Sequence, residues 1–170
     1  MSIVLKLSTK TRYALRAMLE LAFREGDGPV QLRQVAEAQR LSPKYLEQLA
    51  IPLRHAGLVR AERGARGGYE LTRPAQEITA LDVVKAVEGP LDLLDCMVSS
   101  AVCDRAEACA ARDLWVQVND AIHKVLAGTT LADLRENQRV ADLGMAAAER
   151  ADRGLDACST QGVCVTRETD

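Results

Sequence analysis

Three cysteines fall within one short stretch, Cys96-Met-Val-Ser-Ser-Ala-Val-Cys103-Asp-Arg-Ala-Glu-Ala-Cys109, with six residues in the first gap and five in the second. Thiolates are soft ligands suited to zinc and to iron–sulfur clusters. The chain has five cysteines, an odd number, and a reducing compartment disfavours structural bridges, so metal binding or thiol chemistry explains the cluster better than disulfides do. The competing reading is that these are plain buried thiols. Cys158 and Cys164 stand in polar surroundings and read as a pair that contributes nothing or forms an occasional disulfide. His55 and His123 fall on helical patterns and read as surface or packing residues, and Trp115 as core or dimer interface.

The second chemistry is electrostatic. The net charge is −2, but residues 1–75 carry 13 Lys and Arg against 7 Asp and Glu, a balance of +6, while residues 76–170 carry 9 against 17, a balance of −8. The basic part is the candidate phosphate-binding part. With 170 residues, 48% hydrophobic and 27% charged, the chain suits one globular unit plus appendages. It holds no run of about 18 apolar residues and starts without a secretory apolar stretch, so the expected location is the cytoplasm.

The elements that must position these residues follow from periodicity and punctuation. Tyr13, Ala14, Ala17, Met18, Leu21 and Ala22 mark one face of a helix over 9–25, stopped by Gly26-Asp27-Gly28-Pro29. Leu32, Val35, Ala36 and Ala38 mark a second helix, ending near Arg40-Leu41. Ser42 is placed as the hydroxyl cap and Pro43 as the first residue of a third helix, Pro43 to Ala56, closed by Gly57. Pro52 inside it predicts a kink or a shortening. Residues 58–61 and 69–72 read as strands of a hairpin with the basic, glycine-rich tip Arg63-Gly64-Ala65-Arg66-Gly67-Gly68. Thr79 and Asp82 cap a helix through Val87, ended by Gly89-Pro90. A long amphipathic helix follows the cysteines through Leu114, Trp115, Val118, Ile122, Val125 and Leu126, and Thr130–Asp133 caps a short one.

Helix, turn, helix and basic hairpin in that order give the expected fold: mainly α with a small β-hairpin wing, a winged helix-turn-helix followed by a long dimerisation helix. The organisation expected is a DNA-binding region over 1–75, the cysteine loop and dimerisation helices over 76–137, and a flexible tail over 138–170. The reader is Pro43 to Ala56, whose Ser42, Lys44, Tyr45, Glu47 and Gln48 reach phosphates or base edges, Glu47 supplying selectivity. Arg63 and Arg66, with Gly67 and Gly68, belong to the wing; Lys10, Arg12 and Arg16 read as phosphate contacts. No Ser/His/Asp set, phosphate-cradling GxxxxGKS loop or Cys-X-X-Cys pair is present, so an enzyme is not expected.

Residues 7–15 (Leu-Ser-Thr-Lys-Thr-Arg-Tyr-Ala-Leu), 41–49 (Leu-Ser-Pro-Lys-Tyr-Leu-Glu-Gln-Leu) and Gly57-Leu58-Val59 leading into the glycine-rich tip resemble the Rrf-two family of winged-helix transcriptional regulators. The resemblance covers about residues 5–137. It implies a homodimer, crossed by a helix over roughly 113–126, that binds a near-palindromic double-stranded DNA operator; the expected function is that of a repressor. It also implies that Cys96, Cys103 and Cys109 ligate an iron–sulfur cluster. Members of the family complete the ligand set with a histidine three residues after the last cysteine or an aspartate on the first helix; here those positions hold Arg112 and Arg12. Asp104, Glu107, Asp113, Cys158, Cys164 and a small molecule from solvent remain as fourth ligands. Three thiolates leaving one iron accessible suit a sensor, which puts a 4Fe–4S cluster ahead of 2Fe–2S. The alternatives are zinc on the same thiols, or a metal-free regulator controlled by thiol oxidation or a partner protein.

Overall fold

The computed structural model describes residues 8–64, 67–99, 102, 103, 105 and 109–145. Arg66, Asp104, Glu107, Cys158 and Cys164 lie outside them. The chain forms two compact units, residues 1–135 and 136–170.

In the first unit, α1 (Thr9–Phe23) starts where the Ser8 hydroxyl accepts the Thr11 N–H at 3.1 Å. Its apolar spacing buries Ala14, Ala17, Met18, Leu21 and Ala22 on one face. α2 (Leu32–Gln39) ends at Arg40, which turns left-handed at φ 53° and ψ 46°. α3 (Pro43–His55) begins with Pro43 as expected, but the Ser42 hydroxyl makes no cap bond, so Ser42 occupies the cap position by backbone conformation alone. Gly57 takes φ +67° and closes the helix, with the Leu58 N–H on the Leu53 carbonyl at 3.0 Å.

Pro52 does not shorten α3. The helix runs to His55, the Pro52 carbonyl still accepts from Ala56 at 2.9 Å, and Leu49 and Leu53 on either side of Pro52 are buried. Burying these leucines offsets the helix bond that Pro52 cannot donate.

β1 (Val59–Glu62) and β2 (Gly68–Leu71) pair antiparallel, Val59 opposite Leu71 and Glu62 opposite Gly68. Val30 makes an isolated antiparallel bridge to the hairpin: its N–H and carbonyl both bond Tyr69, each at 2.8 Å. After a 3-10 turn at Ala75–Glu77, α4 (Ala80–Glu88) opens with the expected reciprocal cap, Thr79 N–H to Asp82 at 3.0 Å and Asp82 N–H to the Thr79 hydroxyl at 3.1 Å. α4 packs against α1 and α3.

The cysteine stretch contains a short helix, α5 (Asp95–Val98), which periodicity had not marked. α6 (Ala110–Ala127) then runs one full turn longer than the expected 113–126 when both ends are counted. Beyond it, residues 131–135 are helical, and Thr130 bridges Thr79 while the Leu131 N–H bonds the Ile78 carbonyl at 2.9 Å. Met18, Leu46, Leu49, Ile78, Val83 and Leu131 are all sealed from solvent in one core, so residues on both sides of position 75 are packed together.

In the second unit, residues 136–145 are helical, with Gln138 bonded to Asp142 at 2.8 Å.

Candidate functional site

The exposed residues expected from the sequence to face a nucleic acid are held by α3. Its buried Leu46, Leu49, Ala50 and Leu53 fix the helix on the core and leave Lys44, Glu47 and Gln48 exposed, with Ser42 exposed at its start. Tyr45 is different. It is half-buried, its ring meeting Tyr13 edge-on at 5.9 Å and 85°, so the ring braces α3 against α1. The Arg12 and Arg16 guanidiniums lie over the Tyr13 ring at 5.6 and 5.7 Å, a cation–π arrangement that stacks both on the same aromatic.

Two of the expected phosphate contacts already have protein partners. Lys10 donates from Nζ to the Val87 carbonyl at the end of α4, and Arg16 donates to the side chain and carbonyl of Gln39 at 2.9 and 2.7 Å. Arg12 and Arg63 are exposed. The wing glycines have a structural explanation: a Cβ on Gly67 would overlap the Glu62 carbonyl oxygen, and one on Gly68 would sit 2.5 Å from the Val30 carbonyl group. Only glycine lets these backbones approach so closely.

Sequence reasoning missed Arg40. It is exposed in the turn between α2 and α3, immediately ahead of the reader, and its left-handed backbone gave no signal because arginine rarely adopts that conformation. It also missed the join between α1 and α4. There the Thr11 hydroxyl, 1% exposed, donates to the Glu88 carboxylate at 2.6 Å, and the Ser8 hydroxyl donates to the same oxygen. These bonds, the Ser8 one first and the Thr11 one next, hold the Glu88 carboxyl below its ordinary range, and the Lys10 charge adds to the effect.

The cysteine loop leaves α4 directly. Cys96 is half-buried in α5, Cys103 is exposed, and Cys109 is half-buried at the cap of α6; all three are free thiols. Three thiols on one short loop supply the donor set that an iron–sulfur cluster or zinc requires. Among the described residues no three Cys, His, Asp or Glu side chains are gathered where they could hold a metal ion. Arg112 reaches this loop, donating from Nε to the Cys96 carbonyl at 3.2 Å. Asp113 stands exposed in the first turn of α6.

α6 buries none of its residues completely within this chain. Leu114, Trp115 and Val125 are 58%, 40% and 67% exposed. Trp115, read as core or interface, is therefore outside the core of the single chain. No helix among the described residues is long and apolar enough to cross a membrane.

A helix-turn-helix with a hairpin wing, followed by a thiol-bearing loop and a long helix, defines a winged-helix transcriptional regulator. The profile of the Rrf2 family, described as an iron-dependent transcriptional regulator, matches residues 7–137, and the chain belongs to that family. It is 45% identical over 130 residues to the regulator CymR of Bacillus subtilis (strain 168), covering 76% of this chain and 89% of that one. It is 38% identical over 139 residues to the regulator IscR of Photorhabdus laumondii, covering 82% and 84%. The solved structure of B. subtilis CymR (YrzC), described as the global cysteine regulator, superposes with TM-score 0.67 at 43% identity over 79% of this chain and 98% of that chain. An oxidized form of Staphylococcus aureus CymR gives 0.63 at 44% identity over 78% and 97%. The expected fold is the observed one.

Proposed function

We propose that the protein is a homodimeric transcriptional repressor that reads an operator with α3 and the wing, and that it carries an iron–sulfur cluster on Cys96, Cys103 and Cys109, 4Fe–4S ahead of 2Fe–2S. The observation that carries this reading is the placement of three free thiols on the one loop that joins α4 to α6. α4 packs on both α1 and the reader helix, so a loop that changes shape on loading acts on the groove-facing surface. Residues 1–75 do the reading, and residues 76–137 sense and dimerise. Coupling requires that the cluster bind the two conformations of the protein unequally. The uncovered Leu114, Trp115 and Val125 supply the dimer seam. The Rrf2 description as iron-dependent supports iron over other metals.

The likeness to CymR favours a second reading, a metal-free regulator whose thiols respond to oxidation or to a partner protein. Anaerobic purification separates the two. Brown protein containing iron and acid-labile sulfide, with operator affinity that changes when the three cysteines become alanine, fits the cluster. Colourless protein without iron or sulfide overturns it, and zinc in that preparation identifies the same thiols as a zinc site.

A further inference from the structure

The leading limb of the cysteine loop is tied to α6 by three side chains of one helix face. The His123 Nε2 lies 2.6 Å from the Leu91 carbonyl oxygen and donates to it. The Asn119 Oδ1 accepts the Leu93 N–H at 3.3 Å. The Arg112 Nε donates to the Cys96 carbonyl at 3.2 Å. Residues 112, 119 and 123 recur at seven and four positions, which puts them on one stripe of a helix. That stripe meets residues 91, 93 and 96 in matching order and antiparallel, so α6 satisfies the backbone of a segment that has little regular structure of its own.

We propose that Arg112, Asn119 and His123 form a rail that seats residues 91–96 on α6 and so fixes the position of Cys96 before any metal arrives. They are positioning residues, since each of these hydrogen bonds is to a backbone group of the loop. The proposal rests on the cysteine loop being the sensing site, but the rail itself consists of protein groups only. Partners that hold a ligand's own backbone fix its orientation, and their loss weakens metal sites without removing a ligand. Cys96, on the rail, is half-buried, whereas Cys103, beyond it, is exposed.

The test uses the full chain, freed of metal and reduced, and compares the rates at which iodoacetamide alkylates Cys96 and Cys103 in the same molecules, resolved by tandem mass spectrometry. In the wild type Cys96 should react more slowly than Cys103. His123→Ala and Asn119→Ala should each speed Cys96 relative to Cys103 by about fivefold, the factor that one net hydrogen bond supplies. His123→Gln keeps an N–H donor and Asn119→Asp keeps the acceptor oxygen, so both should stay close to the wild-type ratio. Alanine variants with an unchanged ratio, or conservative variants as fast as the alanine ones, would overturn the rail. Because the protein is metal-free, the outcome is independent of iron: an anaerobic preparation without iron sinks the cluster reading and leaves the rail, whereas equal alkylation rates remove the rail and leave the cluster.

Discussion

The Thr11 hydroxyl donates to the Glu88 carboxylate at 2.6 Å, tying the first turn of α1 to the last residue of α4. Thr11 is the one polar residue among the fully buried side chains described, and its hydroxyl is satisfied only through this join and the neighbouring Ser8. A carboxylate at the start of α1 also sits at the positive end of that helix's dipole.

Thr11→Val, which keeps the shape and removes the hydroxyl, should therefore cost about 1 kcal/mol at pH 7 in urea unfolding. The pH dependence has a definite sign. The Glu88 carboxyl is held below its ordinary value of 4.5 by Ser8 first and Thr11 next, so folding is stabilised above that value, and the contribution is lost as pH falls through the lower folded one. Glu88→Gln should flatten the acid limb of the stability curve below about pH 4.5. An acid limb identical to the wild type would show that the join does not titrate.

Arg40 is the one non-glycine residue described with positive φ. Arg40→Gly should relieve the left-handed strain and raise stability by roughly 0.5–1 kcal/mol, while Arg40→Ala, which keeps a Cβ, should not. Thermal unfolding of the two variants side by side reads the difference. Equal melting temperatures would mean that Arg40 is held in that conformation without cost.

Local signals in the sequence named most of the frame. Thr79 with Asp82, Pro43 at the start of α3 and Gly57 at its end act over a few residues, and each is found where the spacing put it. Failures came where distant groups decide. Val30 enters a β-bridge only through Tyr69, far along the chain. The loop-to-α6 bonds join residues 16, 26 and 32 positions apart, and no window of sequence contains both ends. The candidate cations were legible by type, but Lys10 and Arg16 turned out to be engaged by Val87 and Gln39.

Gly68 tests whether the wing glycines serve the fold. A methyl group there would meet the Val30 carbonyl carbon and oxygen, both at 2.5 Å, and backbone cannot swing aside as a side chain can. Gly68→Ala should break the Val30–Tyr69 bridge and cost about 2 kcal/mol or more. Gly64 has open space around its would-be Cβ but φ +118°, so Gly64→Ala should cost only about 1 kcal/mol. Chemical denaturation that ranks Gly64→Ala as the more damaging change would refute this assignment.

The exposed stripe of α6 carries the proposed dimer. Trp115 and Leu114 are large apolar side chains with 40% and 58% of their surface uncovered, and aromatic anchors of this kind contribute most where they fill the centre of an interface. Trp115→Glu would place a charge there, and sedimentation velocity should show a shift from dimer to monomer with the helix content retained. A variant that sediments as the wild type does would place the interface elsewhere.

For DNA, the contact types divide the predictions. Arg63 is exposed in the wing and offers charge to phosphate or to a narrow groove. Arg63→Ala should weaken all operator sequences alike and lower the slope of log affinity against log salt by about 1. Glu47 is exposed on α3, and because a carboxylate repels phosphate, its proposed role is at base edges, where it would accept from a cytosine amino group. Glu47→Ala should leave the salt slope unchanged, bind the best operator no more weakly, and bind operators altered at one base pair more tightly than the wild type does. Titrations on a panel of single-base operator variants decide the matter: if the wild-type order of preference survives in Glu47→Ala, the carboxylate does not read bases, and selectivity has to come from Gln48, Lys44 or the shape of the duplex.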